Sequence, residues 1–369
     1  MRHVKADQSK SNEEKRAPSS NTKKVHLEIL RVIAVTFVVF NHTGRAGFLL
    51  YSVAFETKAY PLYTFISILC KVAVPIFFMV SGALLIPKQE RPSVIYRKRI
   101  PRVALVLLFF SAIQVLYSHL THANQLYLQV RSLSDFFRRS YVPGVVGTYG
   151  FLYTYIGLLM TLPLLRRLAE GMTIREYTYL FVLAAVFKTL LPTLEFFAGS
   201  EPIAVSVPLF SNGVFYFLMG HFFENVLGDE AYCKKNFCLL AGGAVLSLVL
   251  GCMMTYFHAR ATGKLDAERF HATFIAVPSA ALFFSAKWLC MRVDFPRGLN
   301  KGILWMGSLS FGVYLIEGMV HLHTRFIHEA LTARIHVLPA CVLWVGVIVL
   351  VSMAITAILK KIPFVGKLI

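Results

Sequence analysis

Arg31 and His42 are ionisable side chains in a largely apolar run, His26-Leu-Glu-Ile-Leu-Arg-Val-Ile-Ala-Val-Thr-Phe-Val-Val-Phe-Asn-His42. An imidazole titrates near neutral pH, so it can take a proton from a hydroxyl or carry an acyl group itself. A guanidinium offers a planar fork of donors to a phosphate or a carboxylate. On a helix the eleven-residue separation puts both groups on nearly one face, roughly 16 Å apart along the axis. A cation at mid-bilayer costs on the order of 3 kcal/mol on insertion scales, so such a face looks into the protein or into a watery cavity. A plainer account of each residue alone is that Arg31 snorkels to headgroups and His42 meets interfacial water. Glu28, one turn before Arg31, is placed to pair with it.

Further polar groups follow this face. Val74-Pro-Ile-Phe-Phe-Met-Val-Ser-Gly82 brings small Ser81 and Gly82 into an apolar run, where they permit close helix packing and a cross-helix hydroxyl contact. Tyr96-Arg-Lys-Arg-Ile-Pro-Arg102 places Arg97, Lys98, Arg99 and Arg102 together, a cluster suited to topology-setting charge or to the phosphates of a nucleotide-type ligand. Glu317 lies mid-span and needs a partner, which His321 one turn on could supply. Lys71, Lys188 and Glu195 also sit at membrane depth, where pairing across helices suits them better than chemistry. His221 and Glu224 are spaced by three, but no further ligand accompanies them, so no metal is expected. His321, His323, His328 and His336 read as an exposed outer loop rather than a zinc site. Cys70, Cys233, Cys238, Cys252, Cys290 and Cys341 lack disulfide or metal spacing and read as small apolar core residues.

The elements that must hold these groups are membrane helices. The chain has 369 residues, 56% of them hydrophobic and only 15% charged, with a mean hydropathy of +0.61. Apolar runs long enough to cross roughly 30 Å of hydrocarbon recur from end to end. The expectation is an all-α, polytopic integral membrane protein of about ten spans, near 27–47, 62–86, 100–120, 149–168, 177–197, 209–227, 236–257, 271–291, 302–322 and 338–359. An even number of crossings puts both termini on one side. With that side cytoplasmic, roughly 24 Lys and Arg fall inside and roughly 10 outside, as the positive-inside rule requires. The net charge of +19 is then mainly a topology signal. It suits membrane lipids or a phosphorylated ligand and not nucleic acid, since no soluble domain remains to carry such a surface.

Residues 1–24 are polar and basic, without an apolar core or a small-residue cleavage site. They read as a disordered cytoplasmic tail, and 25–369 as one membrane domain. Most connections are short, and several join helix breakers to charge, as in Pro87-Lys-Gln-Glu-Arg-Pro92. The connection about 121–147 is aromatic (Tyr127, Phe136, Phe137, Tyr141, with Pro143, Arg131, Arg138 and Arg139) and fits an amphipathic or re-entrant segment at the outer face.

Taken in order, Glu28, Arg31, His42, then Pro75, Phe77, Phe78, Ser81 and Gly82, then Lys98, Arg99 and Arg102 resemble the integral-membrane acyltransferase-3 family. The stretches Phe151–Arg166 and Gly307–Ile316 are similar to later helices of that family. The resemblance implies O-acyl transfer, commonly of acetyl, from cytoplasmic acetyl-CoA to a hydroxyl of a cell-surface polysaccharide or lipid-linked glycan at the plasma membrane. It carries Arg31 and His42 to catalysis; Glu317, an intramembrane carboxylate, is expected to join them as a functional exchange, and the basic cluster Arg97, Lys98, Arg99 and Arg102, with Ser81 nearby, is expected to hold the phosphates of the donor. His42 would act as a general base or as a covalent acyl relay. Two positions depart from the family pattern: Thr148-Tyr-Gly150 stands where many relatives have His-x-Trp, and Glu317 where many have His. The rival class is a proton-coupled transporter or exporter using Arg31, His42 and Glu317; a scaffold without turnover is a third. The paired broken helices of many transporters are not visible here. Oligomeric state is not readable from these residues.

Overall fold

The computed structural model describes residues 24–122, 129–140, 147–199, 205 and 207–369. Residues 1–23 of the expected tail, and Tyr127, Tyr141 and Pro143 of the aromatic connection, lie outside the described residues. The described chain is all-helical. Its main elements are α1 (Val25–Asn41), α2 (Tyr60–Leu85), α3 (Pro92–Thr121), α4 (Leu133–Ser140), α5 (Gly147–Glu170) and α6 (Ile174–Ala198). They continue with α7 (Asn212–His221), α8 (Lys234–Thr262), α9 (Ala276–Cys290), α10 (Arg297–Thr332) and α11 (Val337–Leu359). Among the described residues, 7 of these helices are long and apolar enough to cross a membrane: α2, α3, α5, α6, α8, α10 and α11. Each of the ten expected spans falls on a helix, but α1 has 17 residues, α7 has 10 before a five-residue π turn and α9 has 15.

The apolar periodicity decides which helices are central. Leu30, Ala34, Val35 and Val39 of α1 are buried, and α10, α2, α9 and α11 pack around it. By contrast α6 and α8 present large exposed apolar side chains (Tyr179, Val182, Leu194, Phe197; Leu239, Leu246, Val249). Such faces suit hydrocarbon, where lipid tails replace water as the neighbour.

Two features shape the path of α1 and α2. Pro75 has no N–H to continue the ladder, and α2 breaks just before it, at Lys71-Val72, into two helical pieces. The Cys70 carbonyl at that break accepts from Asn41 Nδ2 at 3.0 Å, which ties the end of α1 to the kink. Deeper in the bundle α2 and α7 cross almost backbone to backbone: a Cβ on Gly82 would lie 1.8 Å from the Phe217 carbonyl oxygen, and one on Gly220 would lie 1.9 Å from that of Met79. The close approach read from Ser81-Gly82 is present and belongs to Gly82 and its counterpart Gly220.

Two expectations are revised here. The first span ends at Asn41 rather than near residue 47, and the chain then turns through Gly44–Ala46. Of the four histidines expected on an outer loop, His321, His323 and His328 lie instead on α10, which runs for 36 residues in all, to Thr332, whereas His336 is exposed on the connection to α11. The His321 ring lies 4.6 Å from that of Trp344, and His328 lies 4.9 Å from the same indole. The aromatic connection does contain an amphipathic helix, α4, with Phe136 buried and Phe137 exposed.

Gly82→Ala should destabilise the protein by about 2–3 kcal/mol or more, because a backbone rather than a flexible side chain must move. Thermal unfolding in detergent checks this against Gly346→Ala, where the added Cβ meets nothing within 4 Å and the melting curve should stay in place.

Candidate active site

At the end of the bundle that carries the basic cluster, Arg31 Nη1 donates to Glu28 Oε1 at 2.7 Å across one turn of α1. The Glu28 side chain is buried and fits only because residue 307 is glycine: a Cβ there would meet Glu28 Oε2 at 2.3 Å. Arg31 lines a cavity of about 390 Å³ between α1, α2, α3, α5 and α10, together with Ser81, Arg99, Arg102, Tyr155 and Tyr314. Its lining holds three guanidiniums and no carboxylate. A cavity of this charge suits an anion.

The chain conformation explains why these arginines converge. The helical ladder widens into a π turn over Ile95–Arg99 just before Pro101, which changes the facing of the residues before it relative to those after it, and Arg99 and Arg102, three apart, share one face. Arg99 and Arg102 turn into the cavity, whereas Arg97 and Lys98 are exposed and do not line it. Ser81 lines the cavity while its hydroxyl donates to the Phe77 carbonyl at 2.8 Å. Arg99 grips Glu90, from the α2–α3 connection, with Nε at 2.9 Å and Nη2 at 2.5 Å. That bidentate bond holds the Glu90 carboxyl below the usual carboxylate range. Because the folded value is the lower one, the stability it contributes is present at neutral pH and is lost as pH falls through that lowered value.

The other end of α1 carries the second constellation. His42 Nδ1 lies 2.7 Å from Glu317 Oε1 across the bundle, the carboxylate side chain 1% and the imidazole 25% exposed. An ionised carboxylate only accepts, so this bond places the proton on Nδ1 and leaves the Nε2 lone pair as the available base. Glu317 thus finds its partner in His42 rather than in His321 on its own helix. Its second oxygen is buried with no hydrogen-bond partner among the described residues. The stretch that departs from the family pattern fastens α10 beside it: Tyr314 Oη donates to the Thr148 carbonyl at 2.6 Å, and Tyr149 Oη donates to the Leu315 carbonyl.

Phe77, Phe151 and Tyr314 pack in a row, with ring centroids 5.7 Å apart for the first pair and 5.9 Å for the second. All three line the cavity; His42 and Glu317 do not. The remaining candidates have other partners. Lys71 pairs with Glu268, Lys188 donates to the Phe210 carbonyl at 2.9 Å, and Glu195 lies 3.9 Å from Arg269. His221 and Glu224 diverge: the histidine bonds Tyr177 Oη at 2.9 Å, whereas Glu224 takes His26 at 2.8 Å and Lys24 at 2.5 Å. This buried foot of α1 has no sequence signature, because its members are about 200 residues apart. The six cysteines are free thiols.

A family model described as an acyltransferase domain matches residues 25–359, which takes in both constellations and all of the cavity lining except Leu368. The chain belongs to the acyltransferase-3 family. No curated protein and no solved structure matches it. As a member of the acyltransferase-3 family it is a multi-pass membrane acyltransferase.

In that setting Glu317→Gln tests the imidazole pairing, because an amide preserves the shape but no longer demands a proton on Nδ1. It should lower kcat for acyl transfer by roughly 10²–10⁴-fold with little change in KM for the donor. Steady-state kinetics in membranes separate the two constants.

Proposed function

We propose that this protein is an O-acetyltransferase of the plasma membrane that moves an acetyl group from acetyl-CoA to a hydroxyl of a cell-surface polysaccharide or its lipid-linked precursor. The observation that supports it best is the placement of an anion-binding cavity and a carboxylate-held histidine at the two ends of one buried helix. The three arginines would face the cytoplasm and take the phosphates of the donor. Roughly 16 Å separate Arg31 from His42 along the helix axis, a span that an extended pantetheine arm can cross.

At the histidine end, Nε2 of His42 would take the proton of the acceptor hydroxyl as its oxygen attacks the thioester carbonyl. The C–O bond forms, the C–S bond breaks and the CoA thiolate leaves, recovering a proton. Glu317 keeps the imidazole in the tautomer needed for this and balances the charge that develops on it, the role that a carboxylate has beside a catalytic histidine elsewhere. Tyr314 and Tyr149 hold the helix that carries Glu317, and so act on position rather than on the reacting atoms.

His42→Ala should abolish transfer of radiolabel from acetyl-CoA to an extractable glycan in membranes containing the protein, while the variant inserts in normal amount. Full acetylation of surface glycans in that variant would end the proposal. Transport is separated by the same assay, because a transporter accumulates substrate in vesicles without consuming thioester.

A further inference from the structure

Two of the three guanidiniums that line the cavity are already held by carboxylates, and the two carboxylates are unlike. Glu28 is part of the packed wall: it lies on α1, its side chain is 8% exposed, and it is wedged against Gly307. Glu90 lies on the short connection between α2 and α3, its side chain 26% exposed, and it closes on Arg99 with both oxygens. The same residue lines a second cavity of about 730 Å³ at the basic end of the bundle, whose other charged members are Lys88, Arg91, Arg166, Arg167 and Glu170. Glu90 therefore stands at the partition between two cationic spaces.

Three features make this pair exchangeable. The fork of a guanidinium that fits a carboxylate fits a phosphate equally well, so a phosphorylated ligand and Glu90 compete for the same donors of Arg99. A second cation waits for the displaced carboxylate: Arg166 Nη2 is 3.5 Å from Glu90 Oε2. Arg166 is itself immobile, donating to the Leu85 carbonyl from Nε at 3.1 Å and Nη2 at 2.9 Å and to the Glu90 carbonyl from Nη1 at 3.1 Å. The backbone of Glu90 is thus anchored while its side chain keeps two alternative partners.

We propose that Glu90 sets donor affinity by competing with the phosphate groups of acyl-CoA for Arg99: the donor enters by exchanging the Glu90–Arg99 ion pair for a phosphate–Arg99 pair, and the carboxylate turns to the cations of the second cavity. This rests on acyl-CoA being the donor. The affinity measured is then the intrinsic one reduced by the fraction of molecules in which Arg99 is free. After transfer the returning carboxylate speeds release of CoA. A merely bracing Glu90 predicts the opposite sign, since its removal would leave Arg99 unpositioned and weaken binding.

Equilibrium binding of CoA to the full-length purified protein in lipid nanodiscs decides between them. Glu90→Gln should tighten CoA on the order of fivefold, and Glu90→Asp, whose shorter arm grips Arg99 less well, should fall between Gln and the parent. In an Arg99→Gln background Glu90→Gln should change nothing. Unchanged or weaker binding by the folded Gln variant overturns the proposal; where that variant does not fold, an Asp variant that binds no tighter than the parent does so. If the parent binds CoA and the variants do not tighten, the competition alone is wrong. If neither parent nor variants bind CoA, the donor assignment falls and takes this proposal with it.

Discussion

A carboxylate buried in a membrane bundle must find a partner, and the pairing of Glu317 with His42 is the constraint from which the centre of this protein follows. Taking an unpaired carboxylate out of water costs several kcal/mol, far more than helix packing in lipid returns at one position. The partner must therefore be held at hydrogen-bond distance by structure on both sides. On the α10 side, Tyr314 and Tyr149 tie the helix to the Thr148–Gly150 stretch. On the α1 side, Asn41 reaches the carbonyl that the Pro75 kink sets free in α2. The kink, the asparagine and the two tyrosines serve one contact.

The same rule fixes the height of α1. Its foot is tied by Glu224 through His26 and Lys24, its next turns by Glu28 and Arg31, and its far end by Glu317 through His42. Apolar packing in a bilayer discriminates weakly between neighbouring registers, since lipid tails and leucine side chains are similar solvents for each other. Ion pairs discriminate strongly, because a slip of one turn moves a side chain about 5 Å and leaves a buried charge alone. The separation of Arg31 from His42 is thus fixed by tethers at each end and not only by the helix between them. This matters for any reaction in which one ligand spans both.

The parts legible in the sequence were those that depend on one helix at a time. Apolar run length gave the helices, and the helical repeat put Glu28 beside Arg31 and Arg31 on the face of His42. Gly82 in an apolar run signalled a close crossing, although its counterpart Gly220 carried no separate signal. Contacts between distant segments were not legible: Glu224 with His26, Glu90 with Arg99 against a change in helix pitch, and Tyr149 with Leu315. The π turn at Ile95–Arg99 illustrates the physical reason. Arg99 and Arg102, three apart, share the face that lines the cavity, whereas Arg97 and Lys98 lie off it, on a turn whose pitch the residue types do not announce. The extension of α10 to Thr332 was hidden because histidine, arginine and glutamate at its end look like a loop, while the helix is held there by packing of His321 and His328 on Trp344.

The rings of Phe77, Phe151 and Tyr314 line the arginine cavity, whereas His42 and Glu317 do not. A thioester is stable to water only while nothing activates the water, and an imidazole held by a carboxylate activates any hydroxyl within reach, water included. In the proposed reaction the base therefore has to be kept apart from solvent entering with the donor. Rings do this at low cost, because a rotation about one side-chain bond opens a slot wide enough for a chain of methylenes and amides while bulk water stays behind. Tyr314 is the least free of the three, since its hydroxyl is bonded to Thr148. Tyr314 is accordingly a fixed part of the cavity wall and also braces the helix of Glu317. Thr148-Tyr-Gly150 thus forms a rigid post beside the helix of Glu317, through the Tyr314–Thr148 and Tyr149–Leu315 bonds.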